Sequence, residues 1–245
     1  RTKMKEITIG NLRARITGGD DREGSGTGPV VVLLHGYGAP GEDLVPLWRV
    51  IDVPRGTRFV FPEAPLRLAD TVPGAAYGEG RAWWPIDMAA IQTAMMRGEV
   101  RDMTGGVPEG SVPAREALIT FIEGLPAALG CAPDRIALGG FSQGAMLATD
   151  VVLRTELPVA ALVIMSGTLL ADSEWTPLMA RRKGLRVLQS HGREDPILPF
   201  AIAEQLRDRL TTADLDVQFV PFRGGHGIPP EVLQGVGNVL RSAFA

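Results

Sequence analysis

Short apolar runs alternate with longer stretches of helical periodicity along most of the chain. Fully apolar runs, which are typical of strands covered on both faces, lie at residues 30–34, 59–61, 136–138, 159–165 and 187–188, and the mainly apolar residues 217–220 complete the set. Between them, apolar side chains recur at spacings of three and four residues at 117–125 and 232–240, which predicts amphipathic helices. This alternation predicts an α/β fold with a mostly parallel central sheet flanked by helices on both faces.

Two segments depart from this alternation. Residues 4–9 and 12–17 flank Gly10 and Asn11, a pattern that predicts an antiparallel hairpin ahead of the parallel sheet. Between residues 65 and 111 glycines and prolines are dense, and only residues 86–96 have a helical pattern. We therefore predict a single domain over 1–245, with a long, irregular, lid-like insertion at about 65–111.

Composition and charge limit the classes of molecule that the protein is expected to bind. The 245 residues are 45% hydrophobic and 22% charged, which suits one globular domain with its own core. The formal net charge is −3 and charges of both signs are scattered, so the basic stripe that nucleic-acid binding needs is missing.

The longest apolar runs are far shorter than the roughly 18 residues that span a bilayer, so no stable membrane insertion is expected. A single cysteine, Cys131, is expected to be buried and inert, and the cytoplasm is the default location.

A serine between two glycines marks a candidate nucleophile. Ser142, in the sequence GFSQG, follows a predicted strand and precedes an apolar, helix-forming run at 145–153. A strand, a sharp turn and a helix form the context in which G-x-S-x-G exposes a serine hydroxyl above a sheet. Gly140 and Gly144 on either side suit a turn that is too tight for side chains at those positions. Ordinary loops also contain Gly-x-Ser-x-Gly, but the strand before and the helix after favour catalysis.

The base that activates the serine is expected to be a histidine, because histidine titrates near neutral pH. His35, His191 and His226 each follow a predicted strand and precede a glycine, so all three belong to the carboxyl edge of the sheet. Where a nucleophilic serine follows a strand in this way, the chain order is serine, carboxylate, histidine. Only His226 follows the last predicted strand, and we predict that it is the base. His35 and His191 are expected to be structural.

The carboxylate that orients the histidine must lie between Ser142 and His226 at the end of a strand. Asp195 lies just past the strand that ends near Ser190, and it is our candidate. Asp172 is interpreted instead as the cap of a helix that starts at Ser173, and the adjacent Glu194 remains an alternative.

Acyl transfer also needs hydrogen-bond donors directed at the oxyanion. The backbone N–H of Gln143, the residue after the nucleophile, is the expected first donor. Tyr37 lies in a glycine-rich turn after the strand at 30–34, and its amide is the expected second donor, with a plain turn as the alternative.

Taken together, these motifs resemble the carboxylesterase and phospholipase branch of the α/β-hydrolases that includes acyl-protein thioesterases. The likeness extends over residues 34–226 and rests on LHGYG at 34–38, PEAP at 62–65, WWPID at 83–87, GFSQG at 140–144, His191-Gly192 with Asp195, and His226. The resemblance implies hydrolysis of carboxylic esters or thioesters by a Ser142–His226–Asp195 triad through an acyl-enzyme. It also implies that no metal or organic cofactor is needed.

Two positions differ from that family pattern. The family often has an acidic residue after the second glycine of the His-Gly turn and a further glycine after the serine turn, where this chain has Ala39 and Ala145. We therefore expect an esterase acting on a small-molecule acyl ester, rather than an enzyme that deacylates proteins. A peptidase or lactonase on the same scaffold, and a ligand-binding relative without turnover, are the alternatives. A homodimer is left open.

The insertion supplies candidate substrate-binding residues. Trp83, Trp84 and Met88 lie in it, and aromatic and methionine side chains make adaptable apolar pocket walls. The alternative, equally weighted, is that these side chains only attach a long loop to the body of the protein.

Overall fold

The centre of the molecule is a twisted sheet of eight strands flanked by helices. The computed structural model describes residues 4–71 and 78–245. The strands within these residues are β1 (Lys5–Ile9), β2 (Leu12–Gly18), β3 (Val30–Leu34), β4 (Arg58–Pro62), β5 (Leu66–Arg67), β6 (Arg81–Ala82), β7 (Ile136–Phe141), β8 (Ala161–Met165), β9 (Arg186–Gly192) and β10 (Asp216–Phe222). All but β5 and β6 belong to the large sheet.

Helices cover both faces of the sheet. The α-helices among the described residues are α1 (Leu68–Thr71), α2 (Met88–Met96), α3 (Ser111–Leu129), α4 (Gln143–Arg154), α5 (Asp172–Met179), α6 (Phe200–Thr212) and α7 (Pro230–Phe244). Short 3-10 helices lie at Val45–Arg49, Pro133–Arg135 and Ala180–Arg182. The predicted α/β class, with a mostly parallel sheet, is confirmed.

The strand order of the large sheet is β1-β2-β4-β3-β7-β8-β9-β10. The pairs β1–β2 and β2–β4 are antiparallel, and every other neighbouring pair is parallel. The chain leaves β3 toward β4 on one side and later returns to pair β7 on the other side of β3. Open α/β sheets bind ligands at such a switch point, outside the carboxyl ends of the strands.

Alternation along the buried strands divides the apolar side chains between two cores, one on each face of the sheet. On β3, Val30, Val32 and Leu34 pack into the core formed with α3 and α4. Val31 and Leu33 pack into the core formed with α7. Because both faces are covered, every residue of β3 is buried, which is why this strand has a continuous apolar run instead of an alternating one.

The amino-terminal hairpin has the predicted form, since β1 and β2 pair antiparallel with Ile9 opposite Leu12. The segment at 65–111 is less irregular than predicted. It contains α1 and the antiparallel pair β5–β6 in addition to the expected helix, while residues 72–77 lie outside the described part of the chain. The helix begins at Met88 because the Asp87 carboxylate caps it by accepting from the Ala90 N–H at 2.9 Å.

The interpretation of Asp172 is wrong by one position. The helix α5 begins at Asp172 itself, and Ala171 occupies the cap position with φ 40°. The Asp172 carboxylate accepts hydrogen bonds from Thr176 and Arg209, so it stabilises the first turn from within the helix.

Over residues 4–71 and 78–245, no helix is both long and apolar enough to cross a membrane. The one cysteine, Cys131, is a buried free thiol whose pKa is raised by burial.

The packing at the start of α4 predicts a strong effect of Gly144→Ala. A Cβ at Gly144 would overlap the Leu34 carbonyl oxygen and lie 2.6 Å from that of His35, and neither backbone atom can rotate away. Alanine gains about 1 kcal/mol in helix propensity over glycine, but we expect the overlap to outweigh this gain. Urea denaturation should show a net loss of about 1–3 kcal/mol in the free energy of unfolding.

The matched control is Gly106→Ala, because no heavy atom lies within 4 Å of a Cβ built there. Its free energy of unfolding should stay within about 0.5 kcal/mol of the wild type. Equal stabilities of the two variants would contradict the packing argument.

Candidate active site

The candidate site lies at the switch point of the sheet. His35, Gly36 and Tyr37 leave the carboxyl end of β3, and Ser142 leaves the carboxyl end of its neighbour β7. Leu34 and Gly140 are directly paired across these two strands, so the two turns start side by side. Asp195 and His226 follow β9 and β10 and complete the group at the same edge.

Ser142 occupies a strained turn between β7 and α4. Its φ of 55° and ψ of −118° lie outside the regions that residues with side chains prefer, at a cost of about 1–3 kcal/mol. Gly140 is required because a Cβ there would lie 2.5 Å from the Leu34 carbonyl oxygen. The Ser142 N–H donates to the Met165 carbonyl at 2.9 Å, which fixes the turn against the neighbouring strand.

The structure brings the three predicted triad residues into one hydrogen-bonded chain. His226 Nε2 lies 2.8 Å from Ser142 Oγ, and His226 Nδ1 lies 2.6 Å from Asp195 Oδ2. With an ionised Asp195, the proton of a neutral imidazole belongs on Nδ1, which leaves Nε2 free to accept from the serine hydroxyl. The arrangement can remove a proton from Ser142.

The side chain of Asp195 is buried yet well supplied with hydrogen-bond donors. Its Oδ1 accepts from the N–H groups of Ile197 and Leu198, each at 2.9 Å. Burial alone would raise the pKa of Asp195, but the hydrogen bonds from His226 and from the two backbone N–H groups outweigh burial and lower it. The carboxyl therefore stays ionised at neutral pH and can stabilise an imidazolium at His226.

The alternative carboxylate, Glu194, does not contact the imidazole. Its side chain accepts from the Gly224 N–H, and its own N–H donates to the Gly224 carbonyl at 3.0 Å. Glu194 thus holds the loop that carries His226. The Phe141 ring packs against the imidazole with a centroid distance of 4.8 Å.

The other two histidines are buried and bonded to backbone. His35 Nδ1 donates to the Gly36 carbonyl at 2.8 Å and its Nε2 accepts from the Ala64 N–H at 3.0 Å. His191 Nε2 donates to the Leu198 carbonyl at 2.8 Å. Burial lowers the pKa of both rings, so both stay neutral and shape the loops around the site.

The two expected oxyanion donors flank the cleft that contains Ser142. Gln143 is the first residue of α4, where backbone N–H groups have no acceptor within the helix. Tyr37 lies in the turn after β3, and both residues line the cleft with Ser142 and His226.

The side chain of Gln143 has a role that the sequence did not reveal. Its Oε1 accepts from the Trp83 N–H and its Nε2 donates to the Trp84 carbonyl, both at 2.9 Å. Trp83 Nε1 in turn donates to the His35 carbonyl at 2.9 Å. These bonds join the serine turn, the insertion and the turn after β3. Sequence spacing carries no signal for this link, because its partners are about 50 to 60 residues apart.

The proposed contact of two tryptophans with substrate is corrected. Trp83 and Trp84 are each only 1% exposed and pack in the core beside α3 and α4. They attach the insertion to the body, as the alternative interpretation held. Met88, the third candidate, does line the cleft.

The cleft at Ser142 has a volume of about 150 Å³. Besides Ser142 and His226, its walls include Ile86, Met88, Met146 and Ile197, together with the charged side chains of Asp43 and Arg101. A larger groove of about 550 Å³ surrounds Trp48, but none of the triad residues lines it. The smaller cavity is therefore the candidate active site, because Ser142 and His226 line it. Within the described ranges, no group of three or more metal-ligating side chains is arranged to hold a metal ion.

Comparison with known proteins agrees with this architecture. The family model described as phospholipase/carboxylesterase matches residues 22–243. The chain is 25% identical to acyl-protein thioesterase 1 of Neurospora crassa over 219 residues, covering 86% of this chain and 84% of that protein. It is 29% identical to acyl-protein thioesterase 1 of Kluyveromyces lactis, covering 88% of this chain and 92% of that protein.

Solved structures show the same similarity. The structure of esterase PE8 superposes with a TM-score of 0.76 at 30% identity, covering 96% of this chain and all of that one (100%). A carboxylesterase from Mesorhizobium loti superposes with a TM-score of 0.71 at 19% identity, covering 96% of this chain and 97% of that one. The chain therefore belongs to the phospholipase/carboxylesterase family of α/β-hydrolases and is an ester-hydrolysing enzyme.

Proposed function

We propose that this enzyme hydrolyses carboxylic esters with short acyl groups through a Ser142–His226–Asp195 triad and an acyl-enzyme. The observation that carries the proposal is the continuous chain of hydrogen bonds from Ser142 Oγ through His226 to Asp195, at 2.8 Å and 2.6 Å. A serine hydroxyl is a weak nucleophile by itself, and a base within hydrogen-bond reach activates it.

In the first half of the reaction, Ser142 Oγ attacks the ester carbonyl carbon while His226 Nε2 takes the hydroxyl proton. The carbonyl oxygen becomes an oxyanion, which accepts hydrogen bonds from the amides of Gln143 and Tyr37. When the carbon–oxygen bond to the alcohol breaks, His226 gives its proton to the leaving oxygen. The products of this half are the free alcohol and an acyl group esterified to Ser142.

Water completes the cycle. His226 removes a proton from a water molecule, whose oxygen attacks the acyl carbon. The second oxyanion collapses, the Ser142 oxygen leaves and His226 returns the proton to it. The ionised Asp195 stabilises the imidazolium in both halves, since its pKa is held below the usual value by its donors.

The small cleft supports short acyl groups. Its volume of about 150 Å³ is below the range of roughly 300–1,000 Å³ that is typical of ligand pockets. The curated relatives are named acyl-protein thioesterases, and thioesters react by the same steps. A long acyl chain would need more apolar wall than Ile86, Met88, Met146 and Ile197 provide, so we favour small esters over acylated proteins.

Removal of the nucleophile is expected to abolish acyl-enzyme formation. Ser142→Ala should lower kcat for 4-nitrophenyl acetate and butanoate by about 10⁴-fold or more, leaving only the residual rate that binding and the oxyanion donors support. Wild-type protein should react with one equivalent of a fluorophosphonate and the variant with none, as intact mass shows. A wild-type protein that neither turns over esters nor is labelled would favour a ligand-binding relative without turnover.

Substitution of Asp195 is expected to lower kcat far more than substitution of its neighbour Glu194. Asp195→Asn should lower kcat by about 10³- to 10⁴-fold, because the amide no longer fixes the productive tautomer of His226 or stabilises the imidazolium. Glu194→Gln keeps an acceptor for the Gly224 N–H and should stay within about tenfold of the wild type. Similar losses in kcat for both variants would contradict the assignment of Asp195.

Met88 is expected to limit the length of the acyl group. Met88→Ala enlarges the cleft and should shift the maximum of kcat/KM along a series of 4-nitrophenyl esters toward longer chains. Met96→Ala is the matched control, because Met96 ends the same helix and is 82% exposed. If Met88→Ala leaves the preferred acyl length unchanged, or if the control shifts it equally, Met88 does not limit the acyl group.

A further inference from the structure

Arg101 is a cation in the catalytic cleft. It follows α2 in the insertion, is half-buried, and lines the same cavity as Ser142, Tyr37 and His226. None of the catalytic steps described above uses a positive charge at this position. Its presence in an otherwise largely apolar wall therefore calls for a separate physical reason.

The guanidinium of Arg101 has no partner within the described chain. No carboxylate oxygen lies within 4.0 Å of it and no hydrogen bond is formed by its N–H groups among residues 4–71 and 78–245. The remaining residues, 1–3 and 72–77, include no Asp or Glu. An internal counter-ion from the rest of the sequence is therefore excluded.

Two other arginines with a similar environment form hydrogen bonds to backbone carbonyls. Burial lowers the pKa of Arg58, Arg101 and Arg182 alike. Arg58 donates to the carbonyls of Leu129 and Gly28, and Arg182 donates to three carbonyls at the end of α4 and the loop after it. Of these three, Arg101 alone is partly desolvated without forming a hydrogen bond to a described residue, which is costly for a charged group.

The nearby charges do not compensate for this. Asp43 also lines the cleft, but its side chain is exposed and forms no ion pair with Arg101 within 4.0 Å. Other walls of the cleft are the apolar side chains of Ile86, Met88 and Ile197. A bound group with negative charge would supply the acceptors that Arg101 lacks, and hydrogen bonds between a guanidinium and an oxyanion are among the strong ones.

We propose that Arg101 binds an anionic group of the substrate, a carboxylate or a phosphate, while the ester carbonyl of the same molecule lies against Ser142. The inference rests on the proposed function for the position of the ester carbonyl. It narrows the substrate to small monoanionic or dianionic esters, since a cavity of about 150 Å³ holds both groups only in a compact molecule.

Matched pairs of esters test this proposal on both sides of the scissile bond. On the alcohol side, 4-acetoxybenzoate is compared with the neutral 4-acetoxybenzamide, and 4-acetoxyphenyl phosphate tests the phosphate. On the acyl side, monoethyl succinate is compared with ethyl butanoate. For at least one pair, the wild-type kcat/KM should be about tenfold or more higher for the anionic ester, and the better of carboxylate and phosphate identifies the anion.

The decisive variant is Arg101→Met, which keeps the bulk of the side chain and removes the charge. Its kcat/KM for the preferred anionic ester should fall by about 10- to 100-fold, while that for the neutral partner stays within about twofold. Arg97→Met is the control, because Arg97 lies in the same segment, is exposed, and approaches only Glu99 at 4.0 Å. Equal anion preference in wild type and Arg101→Met, or an equal loss in Arg97→Met, would overturn the proposal.

A binding experiment separates this inference from the proposed function. If none of the esters is hydrolysed, calorimetry with Ser142→Ala and the double variant Ser142→Ala/Arg101→Met measures the affinity for 4-acetoxybenzoate and 4-acetoxyphenyl phosphate directly. If the affinity depends on Arg101, the proposed anion site stands and the proposed hydrolase activity does not. No affinity in either protein would reject both proposals.

Discussion

The close approach of the serine turn to β3 is the constraint on which the site depends. Gly140 and Gly144 lie so near the Leu34 and His35 carbonyls that neither position has room for a Cβ. Ser142, between them, is forced into a conformation with φ 55° that residues with side chains rarely adopt. The cores on both faces of the sheet hold this strain in place, and the result is a hydroxyl raised toward the base at the edge of the sheet.

The same close approach couples the two sides of the proposed oxyanion site. The backbone of Gln143 offers one amide to the cleft, while its side chain holds the backbone of Trp83 and Trp84. Trp83 then donates to the His35 carbonyl, directly before the turn that carries Tyr37. The insertion therefore connects the turn at Ser142 to the turn at Tyr37. The burial of both tryptophans follows from this structural role rather than from contact with substrate.

The outline of the site could be predicted from sequence because it depends on chain order and strand ends. Ser142, Asp195 and His226 each follow a strand, and parallel strands bring their carboxyl ends to one edge. The insertion could not be predicted in the same way. Trp83 is held by Gln143 of α4 through its backbone and by the His35 carbonyl through its indole, and the start of α5 depends on the left-handed conformation of Ala171. Arg101 carries no periodic signal, and its proposed role follows only from the lack of a partner among residues 4–71 and 78–245.

Trapping the covalent intermediate shows directly whether Ser142 carries the acyl group during turnover. Wild-type enzyme mixed with excess 4-nitrophenyl butanoate, quenched in acid within milliseconds and digested, should yield a butanoyl adduct on the peptide that contains Ser142. The adduct should form and decay at rates that account for kcat. Turnover without any adduct on that peptide, or an adduct on another residue that decays at the rate of turnover, would rule out Ser142 as the nucleophile.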